Sequence, residues 1–286
     1  MKHANAYRIV SRVAIPALAV PLLFSFSSLS KTPATDLHDE LTPMSSDALA
    51  SVEDLASTGL AERILQSSGA IEADVETLRA LLGDPNNGVA PGPLDSGRRE
   101  INWDGVPASV TNVPNFPLDF FLVNSPRGLG YNAIDPGLEV SDQRFADINP
   151  TYAAEFTPFS GQKLFSPIGS NVSAVTFLLP GPVLGAKTPV RGFGVVFSDV
   201  DVAGSTGIIL LGVDGRKLGR ILAPVRSDAR GSSFVGAVFR DAVIEGAILI
   251  SGNGALSPTE KDISQGGRLD LVVMDDFIYG EPGASH

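Results

Sequence analysis

Apolar segments recurring through the second half of the chain, at residues 172–179, 190–202, 206–213, 217–223, 232–239, 244–251 and 269–281, constrain its fold more than any other feature. Each is short, rich in Val, Ile, Leu and Phe, and bounded by Gly, Pro, Ser or Asp, which is the pattern of a β-strand between turns. The segments follow one another with no helical stretch between them. A parallel crossover takes a dozen or more residues, usually a helix, so short gaps favour antiparallel neighbours. Asp214-Gly215, set between Val213 and Arg216, adds a hairpin signal because both residues tolerate the positive φ of a type I′ turn. The expected architecture is mostly β, an antiparallel two-sheet sandwich.

The rest of the chain is read around that core. Residues 98–286 form the expected sandwich domain, opening on a strand at 99–104 with Ile101 and Trp103 on one face, followed by a strand at 118–124. Residues 125–167 carry Arg127-Gly128, Asp135-Pro136-Gly137 and Ile148-Asn149-Pro150, and read as a long connection with short strands at best, of the kind that supplies a binding surface. Residues 52–97 read as a helical appendage and linker: Leu55, Leu60, Ile64 and Leu65 sit near helical spacing, and Val75, Leu78, Leu81 and Leu82 make a second stripe. Residues 31–51 have no period and read as a flexible spacer. Residues 1–30 have the form of an export signal, with Lys2, Arg8 and Arg12 before an apolar run at 13–26 and Ser28-Leu29-Ser30 before Lys31. An uncleaved anchor is the alternative, since residues 13–30 are free of charge; Pro16 and Pro21 oppose a spanning helix.

Composition excludes several chemistries. The net charge of -11 with 21 Lys and Arg disfavours nucleic acid and anionic membranes, both of which demand clustered cations. There is no cysteine, hence no disulfide framework and no thiol catalysis. The histidines, His3, His38 and His286, all lie outside the strand-forming region, which disfavours Ser-His-Asp hydrolysis and His-ligated zinc.

Carboxylates remain. In the segment 269–281, strict alternation puts Val272, Met274, Asp276 and Ile278 on one face and Leu271, Val273, Asp275 and Phe277 on the other, so two carboxylates stand in apolar rows. Residues 192–201 repeat the pattern, with Asp199 and Asp201 extending the row of Phe193, Val195 and Phe197 if the strand stays regular. A buried carboxylate needs a cation or several hydrogen bonds, and Ca²⁺, which takes six to eight oxygen ligands, fits such pairs. Two plainer arrangements are also open: Asp199 and Asp201 capping a turn in solvent, and Asp275 or Asp276 pairing with Arg98, Arg99 or Arg191.

Asp104 in INWDG on the opening strand and Asp275-Asp276-Phe277 on the closing one resemble secreted jelly-roll modules of the MAM and concanavalin-like type, without the cysteines of MAM domains. Residues 99–280 also resemble bacterial exported proteins ending in a DDF-type strand. The resemblance implies a jelly-roll-like sandwich in which a structural calcium ion ties first and last strands together, with Asp104 and Asp276 as ligands and Asp275 next. The function expected is that of an exported, periplasmic or extracellular, non-catalytic module. It would bind glycan or another cell-surface component through Arg127, Asn132, Asn149 and Tyr152, with no nucleic-acid partner and no membrane insertion after signal cleavage. A cell-surface assembly protein working through residues 52–82 is one alternative. A carboxylate-dependent glycoside-active enzyme drawing on Asp119, Asp142, Asp147 or Glu155 is another.

Overall fold

The computed structural model describes residues 49–133, 137–181, 185–226 and 230–284. The expected signal at 1–30 and the spacer up to residue 48 lie outside the described residues. The chain forms a two-sheet antiparallel sandwich. One sheet has seven strands: β1 (Arg63–Ser68), β2 (Arg98–Ile101), β4 (Gly137–Ser141), β5 (Leu164–Ile168), β7 (Gly192–Ser198), β10 (Ser232–Val238) and β12 (Val273–Gly280). Their order is β1-β10-β7-β12-β5-β4, with β2 also paired to β12. The facing sheet has five, in the order β3-β6-β11-β8-β9: β3 (Leu129–Ala133), β6 (Val172–Phe177), β8 (Gly207–Gly212), β9 (Lys217–Leu222) and β11 (Ile244–Ile250). Phe193, Val195, Phe197, Phe277 and Tyr279 from the first sheet meet Val175, Phe177, Ile208, Leu210 and Leu249 from the second. Each such side chain, fully buried, contributes roughly 1.5–3 kcal/mol. The hairpin at 213–216 forms as its sequence dictates, with Asp214 and Gly215 at φ 67° and 72°.

Two local expectations are overturned. Residues 63–68 form β1, not a helix. Gly59, at φ 66°, stops helix α1 (Leu55–Thr58) after four residues, and the segment beyond it pairs with the open edge of β10, Arg63 opposite Val238 through to Ser68 opposite Ser233. A helix this short gains little from its own hydrogen bonds, whereas an unpaired strand offers a full ladder. Residues 118–124 hold a helical turn, α3 (Phe120–Val123), instead of a strand. Phe120 and Phe121 are both buried against Phe116, and Phe121 against Trp103; adjacent residues on a strand would face opposite ways. The second predicted helix does form, as α2 (Glu72–Leu82). Its Val75, Leu78 and Leu82 cover Val196, Phe234, Val238 and Ile278 on the outer face of the larger sheet. Gly194 permits that approach: a Cβ there would stand 2.5 Å from Leu78.

The closing strand departs from strict alternation at its carboxylates. On β7, Phe197 pairs with Met274 and Val195 with Phe277, so Asp275 and Asp276 together oppose the single residue Val196. This is a β-bulge. The extra residue changes the phase: Val272 and Met274 face the core before it and Phe277 and Tyr279 after it, while Ile278 turns out toward α2. At the same point the other edge of β12 changes partner, from Phe165 of β5 to Ile101 of β2.

Candidate metal centre

Asp199 does not extend the row of Phe193, Val195 and Phe197. β7 ends at Ser198, Asp199 adopts φ 73°, and Val200 takes the next core position instead. The kink turns the Asp199 carboxylate toward Glu155, at the end of helix α4 (Tyr152–Glu155), and Asp262, which caps a short 3-10 turn at Ile263–Gln265. One oxygen from each of these three buried residues lies within 4.8 Å of the other two. A second triad on the same scale joins Asp201, Asp262 and Asp270, so Asp262 is common to both.

The hydrogen bonds fix most of these groups in place. Asp262 accepts from the amides of Ser264 and Leu271, both at 2.7 Å. Asp270 accepts from the Asp201 amide at 3.0 Å, the Val202 amide at 3.2 Å and the Ser205 hydroxyl. Glu155 accepts from the Ser264 hydroxyl at 2.6 Å. Asp199 accepts from the Arg230 amide at 3.1 Å through Oδ1, while its buried Oδ2 has no hydrogen-bond donor. Among the described residues, no arginine or lysine forms an ion pair with any of the five.

Crowding of like charges away from water moves the acidities accordingly. Burial, then the Glu155 hydrogen bond and the charges of Asp262 and Asp201, push Asp199 up to about 9. Burial and the Asp262 and Asp270 charges push half-buried Asp201 up to about 6. Asp270 is also raised, by burial, against the pull of its donors. Without a cation, therefore, the cluster retains protons. Oxygens spaced this way suit one hard cation, since Ca²⁺ sits about 2.3–2.6 Å from each ligand and the ligands of one ion are up to roughly 5 Å apart. The buried acidic cluster can hold a metal ion.

Of the carboxylates expected to bind metal, the structure brings Asp199 and Asp201 into this cluster. Asp104, Asp275 and Asp276 instead meet on one loop. Asp104 accepts from the amides of Gln162 at 2.8 Å and Lys163 at 3.2 Å. Asp275 accepts from those of Phe159 at 2.5 Å and Ser160 at 3.2 Å, and Asp276 from the Ser160 hydroxyl at 2.5 Å. The Asp275 carbonyl in addition accepts from the Trp103 indole at 2.9 Å, which ties the opening segment to the closing strand. Burial and the neighbouring Asp276 hold Asp275 well above the usual carboxylate range; Asp276 is also raised by burial, with Arg79 at 3.7 Å opposing. Arg98, Arg99 and Arg191 pair with Glu100, Glu281 and Glu62 respectively.

Asp262 and Asp270 are the members that sequence reading missed altogether, and Glu155 was expected only as an acid for hydrolysis. Asp270 was accessible to the argument used for Asp199, because it lies two residues before core-facing Val272. Asp262 gave only a capping signal, Asp-Ile-Ser. The expected ligand-binding residues do not converge. Asn149 donates to the carbonyls of Glu260 at 2.9 Å and Pro258 at 3.3 Å, and the Tyr152 hydroxyl donates to Ser257 at 2.9 Å, so both pin the 257–260 loop. Asn132 is half-buried on β3, and Arg127 lines a separate cavity beside Trp103. Among the acids considered for hydrolysis, Asp142 is bonded to Asn112 at 2.6 Å, and Asp147 stands beside Glu139, whose carboxyl is pushed up to about 8 chiefly by burial. Comparison of the chain with protein-family models, with curated proteins and with solved structures finds no match.

Proposed function

We propose that the chain is an exported, non-catalytic β-sandwich module, stabilised by calcium and binding glycan or another cell-surface component. The observation that carries the reading is the Glu155, Asp199, Asp201, Asp262 and Asp270 cluster, whose five carboxylates lack a basic partner among the described residues. A cation there would convert this crowding of carboxylates into a tie between the ends of β7 and α4 and the connection from β11 to β12. Ca²⁺ is favoured because all the donors are carboxylate oxygens, most of them on connections outside regular strands, which tolerate its high and variable coordination number. The export signal pattern at residues 1–30 supports the location, where calcium modules work with dissociation constants of about 10⁻⁴–10⁻³ M. The module role is favoured over hydrolysis because Glu155 belongs to the cluster and Asp142 is tied to Asn112.

Thermal melting of the purified chain in Ca²⁺ and in chelator tests the proposal. A ligand of the native state at 100 times its Kd adds about 2.7 kcal/mol, which in a domain this large is a rise of roughly 5–10 °C. Equal melting temperatures in the two conditions would remove the calcium reading.

A further inference from the structure

Arg127 stands apart from the other arginines on its side of the sandwich. Arg79 and Arg98 share Glu100, and Arg99 is fully buried with Glu281, whose oxygens it meets at 2.7 Å. Arg127 is half-buried and, among the described residues, forms no ion pair. Its Nε donates to the Glu100 carbonyl at 3.1 Å and its Nη1 to the Ser125 hydroxyl, and its guanidinium carbon sits 5.9 Å from the centre of the Phe121 ring. Burial lowers its pKa, with Tyr279 opposing and the nearby Arg99 acting in the same direction as burial.

This arginine lines a cavity of about 150 Å³. The walls are Ile101, Trp103, Val106, Phe120 and Phe121, all buried, while Asn102 and Gly105 at the mouth are exposed. An apolar cleft with a few polar groups is the general form of a small-molecule site; at about 150 Å³ this one is smaller than the roughly 300–1,000 Å³ of a drug-sized pocket and admits only a compact ligand or part of one. Here the polar end is cationic, in a chain whose net charge is -11. The missing counter-charge and the shape of the cleft select the same kind of ligand.

We propose that this cavity binds a carboxylate on a compact body, such as an acidic sugar at the end of a glycan or a small aromatic acid, with Arg127 as the anion-binding residue. The carboxylate takes the remaining guanidinium donors, and the body of the ligand lies against Phe121 and Trp103. The site rests on the reading of the chain as a binding module and is independent of the calcium cluster.

Trp103 is the only tryptophan, so its fluorescence reports the cavity directly. The full chain is titrated with glucuronate, benzoate, glucose and benzamide, and the same series is run on Arg127→Met and Arg127→Lys. A saturable change with at least one of the two carboxylates, absent for its neutral counterpart and weakened at least tenfold in Arg127→Met, is the expected result. Saturation by glucuronate alone identifies an acidic sugar, and by benzoate alone an aromatic acid. Should the neutral compounds bind as well as the carboxylates, or Arg127→Met retain full affinity while melting like the parent, the proposal fails. Absence of any saturable change up to roughly 10 mM carboxylate, weaker than a useful site, overturns it too. Glycan-array binding unaffected by Arg127→Met removes this site while leaving the binding-module reading in place.

Discussion

Replacing Asp199 by Asn should stabilise the metal-free protein while weakening its response to calcium. The buried Asp199 carboxyl holds its proton up to about 9 in the fold, against 3.8 for an ordinary aspartate. Between those limits the folded chain binds one more proton than the unfolded chain, so stability falls as pH rises from about 4 through about 9. At pH 7 the roughly three pH units above an ordinary aspartate, at about 1.36 kcal/mol each, amount to some 4 kcal/mol of destabilisation. Asn carries no proton to lose. Its Oδ1 can keep the bond from the Arg230 amide, and its amide can donate toward the neighbouring Glu155 carboxylate. Allowing for relaxation of the site, Asp199→Asn should gain about 2–4 kcal/mol in chelator at pH 7, roughly 5–15 °C in melting temperature. At pH 5 the gain should shrink to about 1–2 kcal/mol or less. In calcium the order reverses in part, because the wild type acquires a charged ligand that the variant lacks, and the variant's calcium-induced shift should be the smaller. Differential scanning calorimetry at pH 5 and 7, with chelator and with Ca²⁺, reads all four states. A variant that melts lower than the wild type in chelator at pH 7 would refute the reasoning, since it would mean that the ionised group is already compensated.

Other perturbations follow from the same geometry. Arg99→Met strands Glu281 as an uncompensated buried charge and should cost about 3–5 kcal/mol in urea unfolding, most of which Arg99→Met with Glu281→Leu restores; a loss under about 1 kcal/mol in the single variant contradicts a tight buried pair. Gly252, at φ 74°, has no room for a Cβ against the Asp270 carbonyl, so Gly252→Ala should cost more than about 2 kcal/mol and diminish the calcium shift, both measurable by melting. Asp104→Asn and Asp276→Asn should leave the calcium-induced shift intact, because their oxygens hold the 159–163 loop and lie apart from the acidic cluster. Loss of the shift in either variant would place the ion at the strand ends, as the family resemblance implies.

The sandwich was legible because a strand buried on one face or both writes its period into the sequence: β6, β8, β9, β10, β11 and β12 all fall within their expected segments. What local pattern could not show was context. Ile64 and Leu65 fit a helix as well as a strand until the free edge of β10 decides between them. Phe120 and Phe121 resemble a strand until both must reach the same core. The candidate site was half visible. Asp199 was noticed for the row it extends, yet it leaves that row through a positive φ that an aspartate tolerates and no periodicity announces. Asp262 comes from a loop with no period at all, and only folding carries it beside Glu155, more than a hundred residues earlier in the chain.

The position of β12 has a consequence for the order of assembly. Its residues form one ladder with β7 on one edge, and on the other edge they receive β2 and β5. The last strand among the described residues is therefore an interior strand of its sheet. Until it has been synthesised, β2 has no strand to join, β4 and β5 are a detached hairpin, and one edge of β7 lacks hydrogen-bond partners. The larger sheet is thus complete only once β12 is in place. The five-stranded sheet and the β1-β10-β7 ribbon, by contrast, pair without β12, so it is the joining of β2, β4 and β5 to the larger sheet that waits on this one strand.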